Sequence, residues 1–185
     1  ITYAEHFGKE GAFITKATAQ LMRDFGCVQS PINAYMLNLG LESLHVRMAR
    51  HCENGQAVAE FLASHPKIAY VNYCGLPGDK YHAVAEKYLP NGSCGVVSFG
   101  VKGGREAAAA FMGHLKIAAI ETHVADARTC CLHPASSTHR QMNDEQLIAA
   151  GVQPDLVRMS CGLEDKNDLI HDIAQALDRS EERRV

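Results

Sequence analysis

The sequence has no excess of basic charge, no long apolar run and no repeated cysteine spacing. Lys and Arg number 18 against 21 Asp and Glu, a formal net charge of −3. That leaves no basic footprint for nucleic acid and no polybasic stretch for a membrane surface. No segment approaches the roughly 18 consecutive apolar residues that a membrane-spanning helix needs, and none reads as a signal peptide. The seven cysteines are odd in number, Cys130 and Cys131 are adjacent, and neither C-x-x-C nor H-x-H occurs. A disulfide framework and a zinc motif are therefore both unexpected, and the expected metal ligands are none. Free thiols fit a reducing compartment, so the expected location is cytoplasmic. Asn91-Gly92-Ser93 then reads as a turn rather than a glycosylation site.

What is present is ordinary for a globular protein: 185 residues, 46% apolar and 21% charged. The length suffices for one domain, or for one domain and a piece of another. The chain opens at Ile1 without Met, inside a helix-like pattern, and reads as the tail of something longer.

Phe13, Ala17, Leu21 and Phe25 recur every four residues, which predicts a helix over 12–25 stopped by Gly26. Ser30-Pro31 starts another, with a hydroxyl N-cap followed by Pro at the first helical position. Its apolar pattern runs to His65-Pro66, long enough to predict a break near Gly40 or Gly55. Beyond Pro66, strands are expected at 68–73, 94–101, 117–120 and 156–161, with helices at 81–88, 105–115, 144–150 and 165–178. A capping box at Asn143 and Gln146 marks the start of the third of these helices. A polar loop is expected at 123–139. The sum is an α+β fold: about four mostly antiparallel strands with helices on one face, preceded by helices of another body. The expected boundary puts residues 1–50 with that other body and 51–185 in the α+β domain.

Within the last strand, "LVRMSC", Val157, Met159 and Cys161 share the core face while Leu156, Arg158 and Ser160 share the other. Arginine keeps its charge, and burying it costs several kcal/mol (about) unless an anion meets it. A structural salt bridge or a ligand anion would each satisfy Arg158. Lys16, in "FITK", could suggest a Schiff-base lysine, yet it sits on the polar side of a regular helix pattern. "GVKGG" at 100–104 follows a strand and precedes a helix, but lacks either phosphate-loop signature.

Five stretches, "SPINAYMLNLGLESLHVRMARHCENGQAVAEFLASHP", "VNYCGLPGDKYHAVAEKY", "GVVSFGVKGG", "LHPASSTHRQM" and "GVQPDLVRMSCGLEDKNDLIHDIAQAL", together resemble the C-terminal part of the Cys/Met-metabolism family of pyridoxal-phosphate (PLP) enzymes. The resemblance covers nearly the whole chain in order, and "HPASSTH" followed by "DLVRMSCGLED" is very specific to the family. Within it, "ITYAEHFGKEGAFITKATAQLMRDFG", "NGSCGVVSFGVKGG" and "THVADARTCCLHPASSTHRQMNDEQLIAAGV" look most like the O-acetylhomoserine sulfhydrylase branch.

The resemblance implies the small C-terminal domain of a fold-type I PLP-dependent transferase, preceded by the last helices of its large domain. It implies replacement of the acetoxy group of O-acetyl-L-homoserine by sulfide or methanethiol, in a homo-oligomer that is a tetramer at full length. Arg158 matches the arginine that binds the substrate's α-carboxylate. Thr122 matches a position that tunes substrate choice, Thr138 the threonine of the "HPAS-x-TH" loop, and His123 stands where many relatives have Ser or Asn. The Schiff-base lysine and the ligands of the pyridine ring and phosphate are expected upstream. No catalytic or cofactor-binding residue is then expected here, and the chain alone should be inactive. Two alternatives stay open: a methionine or cystathionine γ-lyase of the same family, or a non-catalytic α+β interaction module.

Overall fold

The computed structural model describes residues 2–180, which fall into two compact units that divide between Leu44 and His45. The first is helical. Helix α1 (Tyr3–Lys16) starts with a capping box between Thr2 and Glu5 and is kinked at Gly8, whose φ of 71° suits a residue without Cβ. A π-helical turn (Ala17–Met22) and α2 (Arg23–Phe25) continue it to Gly26, which is left-handed as a helix stop should be. Helix α3 (Pro31–Glu42) is capped by the Ser30 hydroxyl, which accepts from the Asn33 N–H.

The expected break falls at Ser43, between α3 and α4 (Leu44–Ser64). Gly55 leaves α4 unbroken. A Cβ there would collide with the Cys94 carbonyl, so this glycine permits close packing rather than a bend.

The second unit is a five-stranded sheet with helices on one face. After α4 come β1 (Ile68–Asn72), α5 (His82–Tyr88), β2 (Val96–Val101), α6 (Gly104–His114), β3 (Ala119–Ile120) and β4 (Cys130–Leu132). A 3₁₀ turn (Pro134–Ser136), α7 (Asp144–Ala149), β5 (Leu156–Ser160) and α8 (Lys166–Asp178) complete it. The strand order is β1-β2-β5-β4-β3, antiparallel throughout except for the parallel β3–β4 pair. The strand beyond the expected four is β4, which lies inside the segment read as polar loop. All three of its residues are buried, so it shows no alternation to mark it.

Alternation along β2 and β5 decides what is inside. Val97, Phe99 and Val101 join Val157, Met159 and Cys161 on one face, against Val58 and Leu62 of α4, Ala108 and Phe111 of α6, and Ile173 and Leu177 of α8. Phe99 and Phe111 meet edge-on, 5.7 Å apart at 82°. Asp172 ties α8 to the turn before β3: its carboxylate accepts from the N–H groups of Lys116, Ile117 and Ala118 at 2.8, 2.8 and 3.1 Å. No described helix is long and apolar enough to cross a membrane.

Candidate functional site

The core face of β5 forces Arg158 and Ser160 onto the opposite face. There Arg158 lies on the middle strand, paired with Ser98 of β2 and Leu132 of β4. It is half-buried, and its Nη2 donates to the Thr122 carbonyl at 2.7 Å. Among the described residues no carboxylate lies within ion-pair reach of it. A guanidinium offers five donors, so this one carries its charge with only one protein acceptor engaged.

Ser160 does the companion work two residues along. Its hydroxyl accepts the N–H of Ala125 at 3.0 Å, which fastens the 121–130 loop over the outer face. Ala125 is a non-glycine residue at φ 61°. That backbone costs about 1–3 kcal/mol and persists only where its surroundings hold it. The loop's far end is held as firmly. Glu164 accepts from both the N–H and the hydroxyl of Thr129 at 2.7 and 2.8 Å, and the Thr129 hydroxyl accepts from Gly162 N–H. Asn54 of α4 donates to the Gly162 and Glu164 carbonyls, so the turn after β5 is anchored from both sides.

Thr122 is exposed and meets Arg158 through its main chain. His123 is exposed, and its Nδ1 faces Glu121 at 3.0 Å and Asp126 at 3.6 Å rather than Arg158. Thr138 is exposed, with its hydroxyl 2.9 Å from His139 Nδ1. The structure thus brings Arg158, Thr122 and His123 onto one loop-and-strand surface. Among the described residues Thr138 makes no hydrogen bond to any of these three.

The segment before Thr138 is tethered by contacts the sequence does not advertise. His133 is buried, with Nε2 donating to the Pro154 carbonyl and Nδ1 facing the Ser136 hydroxyl, both at 2.9 Å. Burial lowers its pKa and keeps the ring neutral. Arg105 holds the other side, donating from Nη1 to the Ala135 carbonyl at 2.6 Å and from Nε to Asp144 at 2.8 Å. Ser160, Glu164, Asn54 and Arg105 form this support, and nothing in their spacing along the chain marks it.

Comparison with known proteins adds a family. Residues 8–178 match the model of the Cys/Met metabolism PLP-dependent enzymes. The chain is 46% identical over 167 residues to the O-acetyl-L-homoserine sulfhydrylase of Leptospira meyeri, covering 90% of this chain and 38% of that protein. It is 41% identical over 178 residues to the homocysteine synthase of Schizosaccharomyces pombe, covering 96% and 41%. A crystal structure of an O-acetylhomoserine (thiol)-lyase from Campylobacter jejuni, carrying a pyridoxyl-lysine phosphate, superposes with a TM-score of 0.81 at 37% identity. That match covers 90% of this chain and 39% of that one. The chain spans about two fifths of the length of the relatives it matches.

Lys16 is exposed at the end of α1, on an open groove of about 980 Å³ that it shares with Tyr3, Thr15 and Arg23. No carboxylate lines this groove to keep a pyridine nitrogen protonated.

Proposed function

The chain belongs to the family of Cys/Met metabolism PLP-dependent enzymes, and from that premise we propose that it supplies the substrate-carboxylate site of an O-acetylhomoserine sulfhydrylase. In this reading the enzyme replaces the acetoxy group of O-acetyl-L-homoserine with sulfide or methanethiol. The observation that carries it is Arg158: half-buried on the sheet's outer face, bonded to one main-chain carbonyl, with no carboxylate partner among the described residues.

An amino-acid carboxylate fits that vacancy of charge. It can accept two parallel N–H bonds from a guanidinium fork, a geometry an ammonium cannot reproduce. The Thr122 carbonyl holds one edge of the fork and leaves the rest free. Fixing the carboxylate fixes the direction of the Cα–H bond, and orientation of that kind accounts for much of catalysis. PLP, the family's cofactor, supplies the electron sink. We assign its lysine, the carboxylate that keeps its pyridine nitrogen protonated and its phosphate ligands to sequence outside these 185 residues; the groove beside Lys16 offers no such carboxylate. On this assignment the 185 residues alone are inactive, and the full enzyme is a cytoplasmic homotetramer. His123 and Thr138 complete the substrate surface in the same proposal, His123 as a hydrogen-bond donor where many relatives carry Ser or Asn.

The relatives' names favour a sulfhydrylase over a γ-lyase. Product analysis of the enzyme that carries this chain separates the two. O-acetyl-L-homoserine with sulfide should give homocysteine, and methionine alone should give no α-keto acid. Release of an α-keto acid and ammonia from methionine at the faster rate would assign the enzyme to the lyases.

A further inference from the structure

The 121–130 loop gathers four groups that the sequence scatters at irregular intervals: Glu121, His123, Asp126 and Cys130. One ligand atom from each lies within 4.8 Å of all the others. His123 Nδ1 is 3.0 Å from Glu121 Oε2 and 3.6 Å from Asp126 Oδ2. Tetrahedral zinc, with bonds of about 2.0–2.3 Å, sets its donors about 3.3–3.8 Å apart. The longest separation here therefore needs to close by only about 1 Å, within the reach of side-chain rotation. We propose that this loop is a binding site for a divalent transition metal, Zn²⁺ by its donor set, held by the two carboxylates, His123 Nδ1 and the Cys130 sulfur.

The donor types choose the ion. One nitrogen, one sulfur and two oxygens suit zinc and its neighbours, whereas magnesium and calcium take oxygen alone. The Cys130 thiol gives up its proton to solvent as the metal–sulfur bond forms.

The competing arrangement is visible. Arg128 already lies 3.3 Å from Glu121 and 3.7 Å from Asp126. Two features favour a metal as the stronger occupant. The Arg128 guanidinium has no use for a thiol, yet Cys130 is buried with its sulfur in the cluster, donating only to the Arg128 carbonyl at 3.5 Å. The Arg128 side chain is 61% exposed and can swing into water without leaving a buried charge. The loop is also held in place before any ion arrives, by Ser160 at Ala125 and by Glu164 at Thr129. Glu121 and His123 flank Thr122, whose carbonyl holds Arg158. An ion here would stiffen that contact, but the site stands whatever Arg158 binds.

The test is titration of the reduced, metal-free chain with Co²⁺ and then Zn²⁺. One equivalent of Co²⁺ should give the visible bands of tetrahedral cobalt and a near-ultraviolet thiolate charge-transfer band, and one equivalent of Zn²⁺ should bleach both. Cys130→Ser should lose the charge-transfer band, and Arg128→Ala should bind more tightly than the wild type. His123→Ala, at a side chain 62% exposed and so tolerant of change, should weaken Co²⁺ binding at least about tenfold. It decides the matter even if Cys130→Ser fails to fold. No tetrahedral spectrum, or one that His123→Ala leaves unchanged because the ion sits on other thiols such as Cys27 or Cys52, overturns the proposal.

Discussion

Arg158 on β5 and His133 just past β4 handle charge in opposite ways. Arg158 keeps its charge because guanidinium cannot lose it, and it stays half-exposed with one carbonyl partner. His133 is buried and stays neutral, because burial lowers its pKa below the ordinary histidine value. The unfolded chain therefore takes up a proton that the folded chain refuses. Stability from this group is complete above about pH 6.5 and is lost as pH falls from there toward the folded pKa. The loss should reach at most about 1.4 kcal/mol per pH unit. Urea unfolding of wild type and His133→Gln between pH 7.5 and 5 should show the wild type losing more stability on acidification. His65, which burial also shifts down, titrates in both proteins and drops out of the difference. Parallel curves would mean that His133 takes up its proton as readily in the folded chain as in the unfolded one.

At the scale of elements, Asp172 joins α8 to the turn leading into β3 with one carboxylate and three N–H donors. Asp172→Asn keeps the shape but turns one acceptor into a donor that faces another donor. It should cost about 1–3 kcal/mol, read as a lower urea midpoint at an unchanged slope; an unchanged midpoint would show the turn held by its other contacts. Nothing near Asp172 in the sequence marks this role, since its three main-chain partners are supplied only by the tertiary fold. Elements with local causes were legible. The Ser30-Pro31 start, the Asn143–Gln146 capping box and the alternation of β5 are each written within a few residues and recur in the structure. Strand β4 was not legible, being three residues long and buried on both faces. The Glu121, His123, Asp126 and Cys130 cluster was not either: its intervals of two, three and four match no metal motif, and the loop's tethers to Ser160 and Glu164 create it.

For the whole molecule, the two units differ in how they satisfy their apolar residues. The second has a continuous core from α4 through α8. The first exposes Phe13, Phe25, Ile32 and Tyr35 at 81%, 76%, 72% and 66%. In the proposed reading the outer face of β5 is where this chain meets substrate, with Arg158 at its centre. The most direct measurement is kcat/KM for O-acetyl-L-homoserine in the PLP-loaded enzyme that carries this chain, with Arg158 and with Arg158→Lys. Lysine keeps the charge and loses the fork, and a charge-assisted bond is worth about 1.5–3 kcal/mol. The account predicts a fall of roughly tenfold to more than a hundredfold, with the sulfide dependence unaltered; an unchanged kcat/KM would contradict it and leave Arg158 a structural residue of the sheet.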